Sequence, residues 1–183
     1  MFDIVSIISK HTALLENNLK ELYPLQNKRI AFAFAQFYFL LPDVTECMEN
    51  RLGIKTTKDQ FIKDLENNTT WYIKEALEKY DAETDEYADD FVELEPMEVN
   101  ILSGLENCIY SLEKPQNVIS NFLLIIDILD YYENFSDKPE YWNRLLEEEI
   151  QFQKEIAERL SNGENLNENV YFELYKNVSF DEI

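Results

Sequence analysis

Nine carboxylates fall within the eighteen residues DAETDEYADDFVELEPME, positions 81 to 98, and no lysine or arginine stands among them. Hard divalent cations bind clusters of carboxylate oxygens, so calcium or magnesium binding is the first chemistry to test. An EF-hand loop begun at Asp81 puts Glu83 and Asp85 at ligand positions. Glu86, however, stands where the sharp turn requires glycine, and Val92 stands where the bidentate glutamate belongs. The stretch is not an EF-hand. Three readings remain: a looser cation site built from Asp85, Glu86, Asp89 and Asp90, a solvated acidic loop, or a docking surface for a basic partner. As a site, the candidate is a protein-binding set of Asp85, Glu86, Asp89, Asp90 and Glu93.

Other catalytic chemistries run short of residues. His11 is the only histidine, so a Ser-His-Asp or Cys-His constellation has a single base and no local motif to place it. It reads as a helix-face histidine at the edge of the core. A ferritin-like di-iron centre wants two Glu-x-x-His pairs, and the sequence has none. Gly53, Gly104 and Gly163 are isolated from one another, which removes a P-loop and a dinucleotide fingerprint. Cys47 and Cys108 make neither a CxxC pair nor a zinc set, and read as reduced thiols in a cytosolic protein. No cofactor and no metal are expected.

One more carboxylate stands out by position. Trp142, Leu145, Leu146, Phe152, Ile156 and Leu160 recur at helical spacing, and Glu149 falls near the middle of their stripe. A buried carboxylate is costly unless it is paired or hydrogen-bonded. A structural hydrogen bond to a tyrosine or a basic side chain is expected ahead of a catalytic acid.

The elements that must position these residues are helical. With 183 residues, 45% of them apolar, the chain can fill one hydrophobic core. Apolar spacing marks a first helix through Ile4, Ile7, Ile8, His11, Leu15, Leu19 and Leu22, ended by LYPLQNK. IAFAFAQFYFLL, positions 30 to 41, is too short to span a bilayer; its alanines and the Pro-Asp that follows favour a buried helix, with a strand as the alternative. A short helix is expected from Pro42 to Gly53. TTKDQ offers a capping box at Thr57 and Gln60, opening a helix to about Tyr80 that NNTT divides.

Pro96 suits the first turn of a helix whose apolar stripe is Ile101, Leu105, Cys108, Ile109 and Leu112. Its seam of Asn100, Ser103, Gly104, Asn107 and Ser111 would admit another backbone. VISNFLLIIDILDYYENF is apolar around most of its circumference and is the expected central helix. A long helix to Leu160 follows, closed by Gly163, and the final twenty residues carry aromatics with weak periodicity. The fold class is therefore all-α: a single-domain helical bundle of about six to eight helices over residues 1–183.

Charge divides the chain unevenly. Residues 1 to 80 hold ten Lys or Arg against eleven Asp or Glu, whereas residues 81 to 183 hold six against twenty-six. The net charge of −21 repels nucleic-acid phosphates and anionic membranes and favours basic partners. MFDIVSIISKHTALL lacks the basic start of a signal peptide, and the expected location is cytoplasmic.

The order of segments resembles the YjaG-like family of bacterial proteins, an all-helical domain family of unknown function. LKELYPLQNKRIAFAFAQFYFLLPDV is similar to the family's opening, a Leu-rich helix followed by an Ala- and aromatic-rich one that ends in a proline turn, here Pro42-Asp43. GLENCIYSL, at Glu106, Asn107 and Cys108, and EEEIQFQKEI, at Glu149, Gln151 and Phe152, resemble two later family helices. Tyr38 and Phe39 replace the charged Glu-Arg pair that the family carries before the turn. The resemblance implies a helical fold and a cytosolic location, and it transfers no active site.

The functional expectation is a non-enzymatic binding module whose acidic surface receives a basic protein, as an immunity protein does. A carboxylate-based metal protein or enzyme and a structural homo-oligomer are the alternatives.

Overall fold

The computed structural model describes residues 4–84 and 93–181, and every regular element within them is an α-helix. In chain order these are α1 (Ile4–Leu19), α2 (Pro24–Tyr38), α3 (Val44–Leu52), α4 (Lys58–Asn67), α5 (Trp71–Glu83), α6 (Pro96–Tyr110), α7 (Gln116–Phe135), α8 (Pro139–Ser161) and α9 (Val170–Tyr175). The described residues thus hold nine helices, because NNTT divides one predicted segment and the aromatic tail supplies a short last one.

Helix α2 is buried along most of its length after Leu25, which is exposed, with Lys28, Arg29 and Gln36 partly so. Pro24 opens it at a position where a missing N–H is harmless, and the Gln26 side-chain oxygen accepts from the Tyr23 N–H at 3.0 Å. LYPLQNK is therefore mostly helix rather than a connection. Ala31, Ala33 and Ala35 are fully buried together with Phe34, Phe37 and Tyr38. Small residues alternate with aromatic ones because α4, α6, α7 and α9 all lie against this helix, and each close neighbour demands a small residue opposite it. The alternation that could have marked a strand is a packing pattern on a helix.

The expected central helix, α7, packs against α1, α2, α6 and α8 and buries Phe122, Ile125, Ile128, Leu129 and Tyr132. It shares the centre with α2. The final residues close over both: Tyr132 Oη donates to the Phe180 carbonyl at 2.7 Å, and Tyr132 stacks on Trp142 at 4.4 Å.

Helix ends follow local chemistry, with two departures from expectation, and a third departure lies along α6. Pro42 lies outside the first turn of α3; Asp43 is the N-cap, in the left-handed region at φ 61°, and Val44 begins the helix. Thr57 caps α4 by accepting from the Gln60 N–H at 3.2 Å, but the Gln60 side chain turns forward to Asp64 rather than back, so only half of the capping box forms. The small-residue seam of α6 receives a ring, not a backbone. A methyl group on Gly104 would lie 2.1 Å from a ring carbon of Tyr38.

That contact is held firmly. The Asn121 amide, oriented to pair its atoms, donates to Tyr38 Oη at 2.9 Å and to the Gly104 carbonyl at 3.2 Å, and accepts from the Cys108 N–H at 3.3 Å. Tyr38 is fully buried and cannot move aside. Gly104→Ala is expected to destabilise by about 3 kcal/mol in urea unfolding, at the upper end of overpacking costs. Combining it with Tyr38→Leu should recover part of the loss; strict additivity of the two changes would contradict this packing.

Candidate functional site

Asp85, Glu86, Asp89 and Asp90, four of the five candidate binding residues, lie outside the described residues. Glu93 is described and exposed, at the entry to α6. Glu98, at the end of the acidic stretch, is engaged: Arg51 donates to it from Nε at 2.9 Å and from Nη2 at 2.7 Å, joining α3 to α6. This bidentate pairing holds the Glu98 carboxyl below its ordinary pKa. Among the described residues no group of three His, Cys, Asp or Glu side chains could hold a metal ion.

The other singled-out carboxylate lies at the centre of a buried polar network. Glu149 is 0% exposed on α8. Its Oε1 accepts from Tyr171 Oη at 2.8 Å and from Gln153 Nε2 at 2.7 Å, and its Oε2 accepts from Tyr175 Oη at 2.7 Å. Gln153 Nε2 also donates to the Phe122 carbonyl of α7 at 2.7 Å. The Gln153 oxygen is left as an acceptor, and His11 Nε2 lies 2.7 Å from it. His11 Nε2 therefore carries the proton, while Nδ1 is buried without a partner. His11 is 2% exposed, inside the core rather than at its edge.

Spacing explains why these groups meet. Gln153 stands four residues after Glu149 on one face of α8, and Tyr175 stands four after Tyr171 on α9. The network therefore links α1, α7, α8 and α9. The Glu149 position was legible from its stripe, and its tyrosine partners belong to the class expected. Gln153, Tyr171 and Tyr175 escaped notice, although the two i, i+4 pairs were their signal.

Electrostatics assign the roles. Burial raises the Glu149 carboxyl above the ordinary glutamate pKa, and the bonds from Gln153, Tyr175 and Tyr171 offset only part of that rise. Burial and the facing carboxyl push both tyrosines far up, so they remain phenol donors. His11 is lowered by burial, with the Gln153 bond opposing and Lys154 adding to the shift. A carboxyl enclosed by three neutral donors and closed to solvent fastens helices together.

A second carboxylate works similarly at the α4–α5 joint. Asp64 accepts from Gln60 Nε2 at 2.9 Å, Thr69 Oγ1 at 2.8 Å and Tyr72 Oη at 2.7 Å, where Asn68 ends α4 at φ 55°. Burial opposes its ionisation, but the three bonds prevail and hold its pKa below the ordinary value. Cys47 and Cys108 are free and buried, and burial raises the Cys47 thiol to about 11. Neither is an activated nucleophile.

No helix among the described residues is long and apolar enough to cross a membrane. Comparison with protein families, curated proteins and solved structures finds no match to this chain. The functional reading therefore rests on the residues themselves.

Two expectations follow from the network. Glu149→Ala strands three buried donors and opens a cavity, and should cost about 3–5 kcal/mol in chemical denaturation. Glu149→Gln keeps an acceptor and can donate to a tyrosine oxygen, so a loss of about 1 kcal/mol or less is expected. Equal losses would refute the hydrogen-bonded role.

The pH dependence has two opposed parts. Glu149, raised in the fold, contributes stability present below the ordinary glutamate pKa and lost as pH rises through the raised value. His11, lowered in the fold, contributes stability present above 6.5 and lost as pH falls through its folded value. On acidification from about pH 7 to about pH 5 the His11 part lowers the melting temperature while the Glu149 part raises it, so the melting temperature of His11→Gln should fall less, or rise more, than that of the unaltered protein over that range. An unchanged slope in the variant would remove His11 from the account.

Proposed function

We propose that the protein is a binding module for a basic protein partner, and that the acidic surface of its second half is the receiving face. The observation that carries this reading is the division between inward and outward carboxylates on α8. Glu149 is closed into the core, whereas Glu140, Glu147, Glu148, Glu155 and Glu158 are exposed. Exposed carboxylates at this density contribute little to folding and repel one another, while they steer an oppositely charged partner. The same surface repels nucleic acid. In composition the protein is like immunity proteins that neutralise basic nucleases, an analogy of small size and acidity alone. Two free buried thiols agree with a reducing, cytoplasmic setting.

The test uses a basic partner recovered from the native cell and measured by binding kinetics. Its association rate should fall about tenfold or more as salt is raised through the physiological range, because exposed charges are screened over about 8 Å there. Asp85→Asn, Glu86→Gln, Asp89→Asn and Asp90→Asn together should slow association further while the melting temperature holds or rises. An association rate indifferent to salt and to these four changes would overturn the reading.

A further inference from the structure

A cavity of about 400 Å³ opens at the junction of α3, α6 and α7. Its floor is apolar: Cys47, Ile101 and Tyr132 are buried there, and Met97 is half-buried beside them. The neutral Cys47 thiol adds to that apolar lining. Four carboxylates line the cavity, from Asp43, Glu46, Glu95 and Glu98, and no lysine or arginine does.

The fate of each carboxylate decides the charge left for a visitor. Glu98 is neutralised by its bidentate pair with Arg51. Asp43, Glu46 and Glu95 form no ion pair with any described residue; Glu46 has only a 3.4 Å bond from the Asn50 amide. All three are exposed at the mouth. Asp43 and Glu95 are also the N-caps of α3 and α6, whose ends bring about half a positive charge each. Against three carboxylates this leaves about two negative charges over an apolar floor.

That combination matches one side chain best, and we propose that the cavity receives an arginine of the partner protein. The methylene stem lies on Ile101, Met97 and Tyr132, and the guanidinium stays at the mouth among Glu46, Glu95 and Asp43. Long cationic side chains bury their stems and keep their heads wet, and the planar guanidinium can serve two carboxylates at once, which an ammonium does less well. The inference rests on the reading of the protein as a binder of basic partners. It adds where the contact is anchored: outside the α8 surface, at the end of the acidic stretch.

The test has two arms. In the first, N-acetyl-arginine methylamide and its neutral citrulline isostere are titrated into the protein and followed by amide chemical shifts. The arginine probe should shift residues 43–50 and 95–101, citrulline should not, and Glu46→Gln with Glu95→Gln should weaken the arginine probe about fivefold. Equal shifts from both probes, shifts spread along α8, or no effect of the double variant would overturn the proposal. In the second arm Asn50→Trp, an exposed change at the mouth, should weaken the native partner about tenfold through dissociation, since it fills the space and leaves the carboxylates intact. A partner that keeps its salt-dependent association but ignores Asn50→Trp would remove the cavity and retain the acidic face. A probe that seats in the cavity when no basic protein associates would retain the cation pocket and remove the protein partner.

Discussion

A carboxyl group taken out of water loses its hydration, and only donors placed around it can replace what is lost. Glu149 imposes that requirement on the whole second half of the fold. Gln153 meets it from the same helix, and two phenols must arrive from α9, which fixes how α9 sits on α8. Gln153 in turn reaches a carbonyl of α7 and the ring of His11 on α1. Apolar packing alone would tolerate sliding among these helices, because one methyl serves nearly as well as another. A polar network of this directionality is satisfied only when the four helices hold one register.

The fold was legible where the physics is local. Pro96 at the start of α6, Asn68 at the break in NNTT and the glycines after α3 and α8 act through their own backbone preferences, and the expected ends agree with the observed ones. Glu149 was legible as an anomaly because an acid within an apolar stripe is visible in one helix. Its partners were not, since Tyr171 and Tyr175 look like ordinary aromatics until a carboxyl is placed opposite them. The small seam on α6 was read as room for a backbone for the same reason: a sequence shows that space exists beside Gly104 without showing that Tyr38 fills it. Local preferences are written residue by residue, whereas complementarity belongs to pairs distant in the chain.

The two populations of acid residues serve opposite ends. Glu149, Asp64 and Glu98 each have their acceptor capacity taken up by named donors, and they organise the interior or its joints. Asp43, Glu46, Glu95 and the outer row of α8 have little or no such company, and their field extends into solvent. A count of charges merges the two. Only the hydrogen-bond partners separate acids that hold the molecule together from those that face outward.

The tyrosines that close over Glu149 come 22 and 26 residues after it in the chain. Before α9 docks, the central acid of α8 therefore has only Gln153 of its three donors, and water must supply the rest. In that state the carboxyl lies on the face that α9 covers in the fold, and a hydrated acid there is costly to bury against apolar surfaces. Closure of the core around Glu149 is thereby tied to the placement of α9.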